Sequence, residues 1–100
     1  MSSNEFQQSV KDNGPPTGIS VPLTALWWDA KGNWSLAHDL VNELGTQEGM
    51  AVHAYLHRKE GDSSNAEYWY KRCGREFYRE ALDEEWHALV EGLISRPESA

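Results

Sequence analysis

The positions of the apolar side chains predict that the chain is built from helices. Between Met50 and Glu60 there is no glycine or proline, and apolar residues recur at the three- and four-residue intervals of a helix face. Gly61 can take the positive φ that suits a helix C-terminus, and Asp62 can cap the helix that follows. That second helix has one apolar stripe, formed by Ala66, Trp69, Tyr70 and Cys73. We therefore predict a helical hairpin that ends at Gly74.

The segment from Val21 to Gly45 has the same organisation. Pro22 suits the first turn of a helix, and Lys31, Gly32 and Asn33 form the predicted turn. The inward stripe of the next helix is Trp34, Ala37, Leu40, Val41 and Leu44. This segment is a second predicted hairpin, closed by Gly45.

The C-terminal part of the chain predicts one long amphipathic helix, from Arg75 to Ser95. Its apolar stripe is Leu82, Trp86, Leu89, Val90 and Leu93. Residues 1–18 are rich in Ser, Asn, Gln, Gly and Pro, so we expect a disordered or loosely docked tail. The prediction is an all-α protein with a single helical domain over residues 19–96 and a short tail at 97–100.

The two predicted hairpins are partial copies of each other. Placing Gly32 on Gly61 gives an offset of 61 − 32 = 29 residues. This offset superposes small residues, Ala25 on Ala54 and Ala37 on Ala66, and places Trp28 on His57. The strings GNWSLAHDLV and GDSSNAEYWY resemble the opening of the second helix of the tetratricopeptide repeat, a unit of about 34 residues. The resemblance covers Val21 to Gly74.

The resemblance implies a fold and a function. The chain would contain two tetratricopeptide-like hairpins, with the Arg75–Ser95 helix as the cap that covers the second one; a homodimer is the alternative way to cover an open face. The first helices of such hairpins line a groove that binds a peptide or protein partner. Transferred by position, the resemblance places Leu26, Asp29, Tyr55 and Arg58 on that groove.

Aromatic residues add candidate contacts for the partner. Tyr68, Trp69 and Tyr70 are consecutive, so a helix points them about 100° apart and cannot bury all three on one face. An aromatic side chain beside Arg58 or Arg72 would be a suitable anchor for a partner. The first hypothesis is therefore a non-enzymatic interaction module that needs no cofactor.

A different hypothesis rests on two histidines. His53 and His57 lie one helical turn apart, the spacing with which two imidazoles bind zinc. Ala54 stands where a zinc protease has its glutamate, so that class is excluded, but a looser site could recruit His38, Glu60 or His87. This alternative predicts a metal-binding protein or a small hydrolase. The competing interpretation is that both histidines are partly buried, hydrogen-bonded packing residues between helices.

The amino-acid composition narrows the remaining classes of function. The formal net charge of −7 argues against nonspecific nucleic-acid binding. Cys73 is the single cysteine, which fits a reducing compartment, and it lies in an apolar stripe where a thiol would be inert. No apolar run is long enough to span a bilayer or to serve as a secretion signal. We therefore expect a cytoplasmic protein with no membrane partner.

Overall fold

A computed structural model describes residues 1–95 of the chain. It contains six helices: α1 (Ser3–Ser9), α2 (Val21–Ala30), α3 (Trp34–Val41), α4 (Gln47–Glu60), α5 (Ser63–Arg72) and α6 (Leu82–Ser95). Because the described residues contain helices and no strand, the predicted all-α class is confirmed. The predicted tail at 97–100, and Arg96 of the predicted domain, lie outside the described residues.

The turns between neighbouring helices follow from local chemistry. Gly61 ends α4 with a φ of 91°, a conformation that costs glycine little and other residues more. The Asp62 side chain then accepts a hydrogen bond from the backbone N–H of Asn65 and caps α5. Asn33 caps α3 in the same way, by accepting from the N–H of Leu36. As a result α3 packs against α2, and α5 packs against α4.

α4 is the central helix of the molecule. It packs against α2, α3, α5 and α6, and every residue from Gly49 to His57 is buried. A helix that is buried on all sides normally carries apolar residues all round. His53 and His57 are therefore polar side chains inside the core, and their surroundings decide what they can do.

The N-terminal segment differs from the expected loose tail. Residues 3–9 form α1, and Phe6 is completely buried against Trp86, with 5.9 Å between the ring centroids. Trp27 Nε1 also donates to Ser9 Oγ over 3.1 Å. Composition alone predicted disorder because a single phenylalanine in a polar segment has little influence on average hydrophobicity.

The C-terminal helix also differs from the prediction. α6 begins at Leu82, and residues 75–81 are not helical. It packs against α1, α2 and α4, so it crosses both helix pairs and does not cap the second one alone. The Glu85 carboxylate, buried in α6, accepts from Tyr70 Oη over 2.5 Å and from Arg58 Nη1 over 3.0 Å. Burial raises the pKa of Glu85 above its ordinary value.

The helices of the protein can be compared with the length and hydrophobicity that a membrane-spanning helix needs. Among the described residues, none of them has the length and apolar character needed to cross a bilayer.

Candidate metal centre

Three imidazoles from two helices meet beside the central helix. His53 and His57 come from α4, and His38 comes from the last turn of α3. One ring nitrogen of each histidine lies within 4.8 Å of the other two. α3 is held in place for this contact because Trp34 Nε1 donates to the backbone oxygen of Leu56 over 2.8 Å. We call these three residues the three-histidine cluster.

The separation within the cluster is close to that of metal ligands. His38 Nε2 and His53 Nε2 are 3.1 Å apart, so without a metal one ring donates a hydrogen bond to the other. Two imidazole nitrogens that bind one tetrahedral zinc ion at about 2.0–2.1 Å lie roughly 3.3 Å apart. The distance between these two nitrogens is therefore already close to that of two zinc ligands.

The third imidazole is oriented by a carboxylate. His57 Nδ1 lies 2.6 Å from Glu60 Oε2, and the Nδ1–H tautomer donates this hydrogen bond. In that neutral tautomer Nε2 of His57 carries a lone pair. A carboxylate on the far nitrogen is the usual partner of a metal-binding histidine, since it fixes the tautomer and increases the basicity of the ring.

Two tryptophans shield the cluster. The Trp34 ring stacks on His38 with an interplanar angle of 7° and 4.9 Å between centroids. Trp69 stacks on His53 at 4.1 Å and 22°. The Trp69 ring is held by its Nε1–H, which donates to Asn65 Oδ1 over 3.1 Å. These apolar walls restrict water and limit the rotation of the imidazoles.

Burial lowers the pKa of two histidines of the cluster, His38 and His53. Only 2% of His53 and 6% of His57 is exposed. Burial, together with the neighbouring His57 and His38, lowers the pKa of His53 to about 4. Burial and His57 also lower the pKa of His38. Because metal ions bind the neutral imidazole, these two ligands need lose no proton at pH 7.

One polar atom of the cluster is unsatisfied. His53 Nδ1 is buried and has no hydrogen-bond partner within the described part of the chain. Buried polar atoms are nearly always paired, and an unpaired one costs on the order of 1–3 kcal/mol. An apolar side chain at this position would not carry that cost.

The structure selects among the ligands considered from sequence. It brings His38 and Glu60 to the pair His53 and His57, and it leaves His87 out. His87 lies on α6, where it is hydrogen-bonded to the backbone oxygen of Asp83 and to Gln7. Only the i, i+4 spacing on α4 was visible in the sequence, because His38 reaches the cluster through the packing of two helices.

Three of the predicted partner-binding residues are inside the protein. Leu26 is fully buried, and Asp29 and Tyr55 are each 3% exposed. Tyr55 Oη donates to Asp29 Oδ2 over 2.8 Å, and Lys59 Nζ donates to Asp29 Oδ1 over 2.8 Å. These side chains join α2 to α4, and the transfer by resemblance did not account for α1 and α6, which cover this face.

The other three predicted residues have different surroundings. Arg58 is engaged with Glu85 and with the backbone oxygen of Glu80. Trp69 is half-buried against His53 and thus lies beside the three-histidine cluster. Arg72 is exposed and donates to Tyr68 Oη over 2.9 Å. Arg72 is therefore the one member of the predicted set whose side chain lies at the surface.

Cys73 is not a partner of this centre. Its thiol is buried and donates to the backbone oxygen of Tyr70 over 3.4 Å. Burial raises the pKa of the Cys73 thiol, so the reactive thiolate is disfavoured.

Comparison of the chain with protein-family models, with curated proteins and with solved structures gave no significant match. The tetratricopeptide resemblance therefore stays a prediction, and the functional argument rests on the geometry of the site.

Proposed function

We propose that this protein binds a divalent first-row transition metal ion, with Zn²⁺ as the reference ion, through His38, His53 and His57. The main support is the convergence of three imidazole nitrogens within 4.8 Å of one another. Imidazole ligands suit zinc, copper and nickel, whereas Ca²⁺ and Mg²⁺ prefer oxygen ligands. Three imidazole ligands with one carboxylate hydrogen-bonded to His57 match the first group of metals.

The metal would join the two helix pairs. His38 belongs to the pair α2 and α3, and the other two ligands belong to the pair α4 and α5. A bound ion adds ligand bonds between α3 and α4, which favours the folded state by mass action. Three protein ligands also leave a fourth coordination position for water or another small ligand. The hydrolase alternative depends on that position and stays a prediction.

The experiment is a calorimetric Zn²⁺ titration of protein that lacks a histidine tag. Wild-type protein should bind one ion per chain. His38→Gln, His53→Gln and His57→Gln should each weaken binding at least ten-fold, because each removes one ligand. His87→Gln is the matched control and should bind as wild type does. Equal affinity in all five proteins, or no binding by wild type, would overturn the proposal.

Glu60→Gln adds a finer test of the same site. It keeps all three imidazoles but replaces the carboxylate that orients His57, and loss of such a partner typically costs about 10–100-fold in metal affinity. Glu67→Gln is its control, since Glu67 is exposed and pairs with Lys71 at 3.1 Å. If Glu60→Gln binds Zn²⁺ with wild-type affinity, Glu60 is not part of the site.

Partner recognition is a second candidate, favoured by one surface feature. Tyr68 is 51% exposed, and the Arg72 guanidinium lies 5.7 Å from its ring centroid and 5.4 Å from that of Trp69. Tyrosine, tryptophan and arginine are the residues that dominate binding energy at interfaces. A photo-crosslinking phenylalanine analogue at Tyr68 should trap a partner. The same adducts from the analogue at exposed Val21 would count against this surface.

A further inference from the structure

A cavity lies on the side of α4 away from the three-histidine cluster. It has a volume of about 520 Å³ and lies between α1, α2, α4 and α6. This volume is in the range of small-ligand sites, which is about 300–1,000 Å³. The residues that matter for its chemistry are Val10, Lys11, Asp29, Lys59, Leu82 and Trp86. We call it the α1 groove.

The walls of the α1 groove are fixed before any ligand arrives. α1 is held by buried Phe6 and by Lys31 Nζ, which donates to the backbone oxygen of Val10 over 2.6 Å. α6 is held by Trp86 Nε1, which donates to the backbone oxygen of Leu26 over 3.1 Å. A preformed site of this kind loses little entropy when it binds.

The charged side chains at the α1 groove differ in whether they are free to pair with a ligand. Both carboxylate oxygens of Asp29 are already hydrogen-bonded, one to Tyr55 and one to Lys59. The Lys59 side chain is 39% exposed, and its ammonium group has two further N–H donors. Lys11 is exposed and has no ion pair or side-chain hydrogen bond with residues 1–95. The charged donors that remain available to a ligand are therefore ammonium groups.

The opposite wall supplies apolar contact. Val10, Leu82 and Trp86 line the groove beside these ammonium groups. The acidic group on this side, Asp83, is 86% exposed and lies 3.5 Å from His87 Nδ1. A cationic ligand would be repelled by the Lys11 ammonium, and a neutral apolar ligand would bury that ammonium without a partner.

We propose that the α1 groove binds a small amphiphilic anion, an organic acid with one carboxylate and an apolar chain or ring. The carboxylate pairs with the ammonium groups of Lys11 and Lys59, and the apolar part contacts Val10, Leu82 and Trp86. Asp29 and Tyr55 position the Lys59 ammonium from below. This site is separate from the three-histidine cluster, and the proposal does not depend on metal binding.

The probe is 1-anilinonaphthalene-8-sulfonate, an aromatic anion whose fluorescence increases in an apolar site. It should bind the full chain with one saturable site in the presence of a metal chelator. Decanoate should displace it, whereas decanol and decyltrimethylammonium at equal concentration should not. Saturable binding that all three competitors reverse equally would overturn the anion assignment.

Variants locate the probe. Lys11→Gln should weaken probe binding about three- to ten-fold, because it removes an ammonium group that has no structural partner. Ala30→Phe should abolish binding by filling the groove. Lys71→Gln is the control, since Lys71 is an exposed lysine on α5. If Lys11→Gln and Lys71→Gln have the same affinity, or if Ala30→Phe binds as wild type does, the site is not in the α1 groove.

Discussion

His53 is the residue whose environment is most unusual for its type. It is buried in the central helix, stacked on Trp69, and hydrogen-bonded through only one of its two ring nitrogens. Its neutral form is favoured by burial and by two neighbouring imidazoles. In the metal-binding account the burial and the neutral form of His53 belong together, because a transition metal ion binds the neutral imidazole.

The lowered pKa of His53 predicts how stability depends on pH in metal-free protein. The pKa is about 4 in the folded state and about 6.5 in the unfolded chain. Between these values the unfolded state binds more protons, so stability falls as pH decreases from about 6.5 toward 4. His38 contributes with the same sign, whereas the raised pKa of Glu85 acts in the opposite direction.

The measurement isolates His53 by difference. Urea unfolding of wild type and of His53→Gln, with chelator, gives the free-energy difference between them at each pH. Between pH 7 and pH 5 this difference should shift by roughly 1–2 kcal/mol in favour of His53→Gln, which has no proton to bind. Parallel pH profiles for the two proteins would show that His53 is not held neutral by the fold.

At the scale of elements, the central part of the chain could be predicted from its sequence. Gly61 and Asp62 were recognised as a helix end and a cap because both signals act locally, and both are present. The aligned alanines Ala25, Ala37, Ala54 and Ala66 are all completely buried, as expected where helices pack closely. α3 ends at Val41, before the predicted Gly45, so the apolar pattern continued beyond the helix.

The two ends of the chain were not predictable in the same way. α1 has only seven residues and α6 begins seven residues later than Arg75. A helix as short as α1 is not stable alone in water, and its stability comes from tertiary packing that a local pattern does not contain. Phe77 lies in the non-helical segment before α6 and packs against Tyr70, with 5.1 Å between the ring centroids.

The packing of α1 predicts a large effect for one substitution. Phe6→Ala should lower the free energy of unfolding by about 3–5 kcal/mol, because Phe6 is completely buried in the core. Urea unfolding measures this, and hydrogen exchange should show that α1 loses protection. Val21→Ala is the control and should change stability by about 0.5 kcal/mol or less, since Val21 is 44% exposed. A small effect of Phe6→Ala would mean that α1 is a loose tail, as its composition suggested.

At the scale of the molecule, α4 separates two polar regions. On one side it presents the three-histidine cluster toward α3 and α5, and on the other it presents Tyr55 and Lys59 toward α2 and the α1 groove. The sequence showed the helical class and the His53–His57 spacing. It could not show either site in full, because His38 and Lys11 are brought to α4 by packing between helices.

The central claim is that three histidines from two helices bind one metal ion. X-ray absorption spectroscopy of tag-free, zinc-loaded protein tests it most directly, since it counts the imidazoles around the ion. The account predicts three imidazole nitrogens at about 2.0 Å, one further oxygen or nitrogen, and no sulfur. Two imidazoles or fewer would contradict it, and so would a sulfur ligand, supplied by Cys73, at about 2.3 Å from the ion.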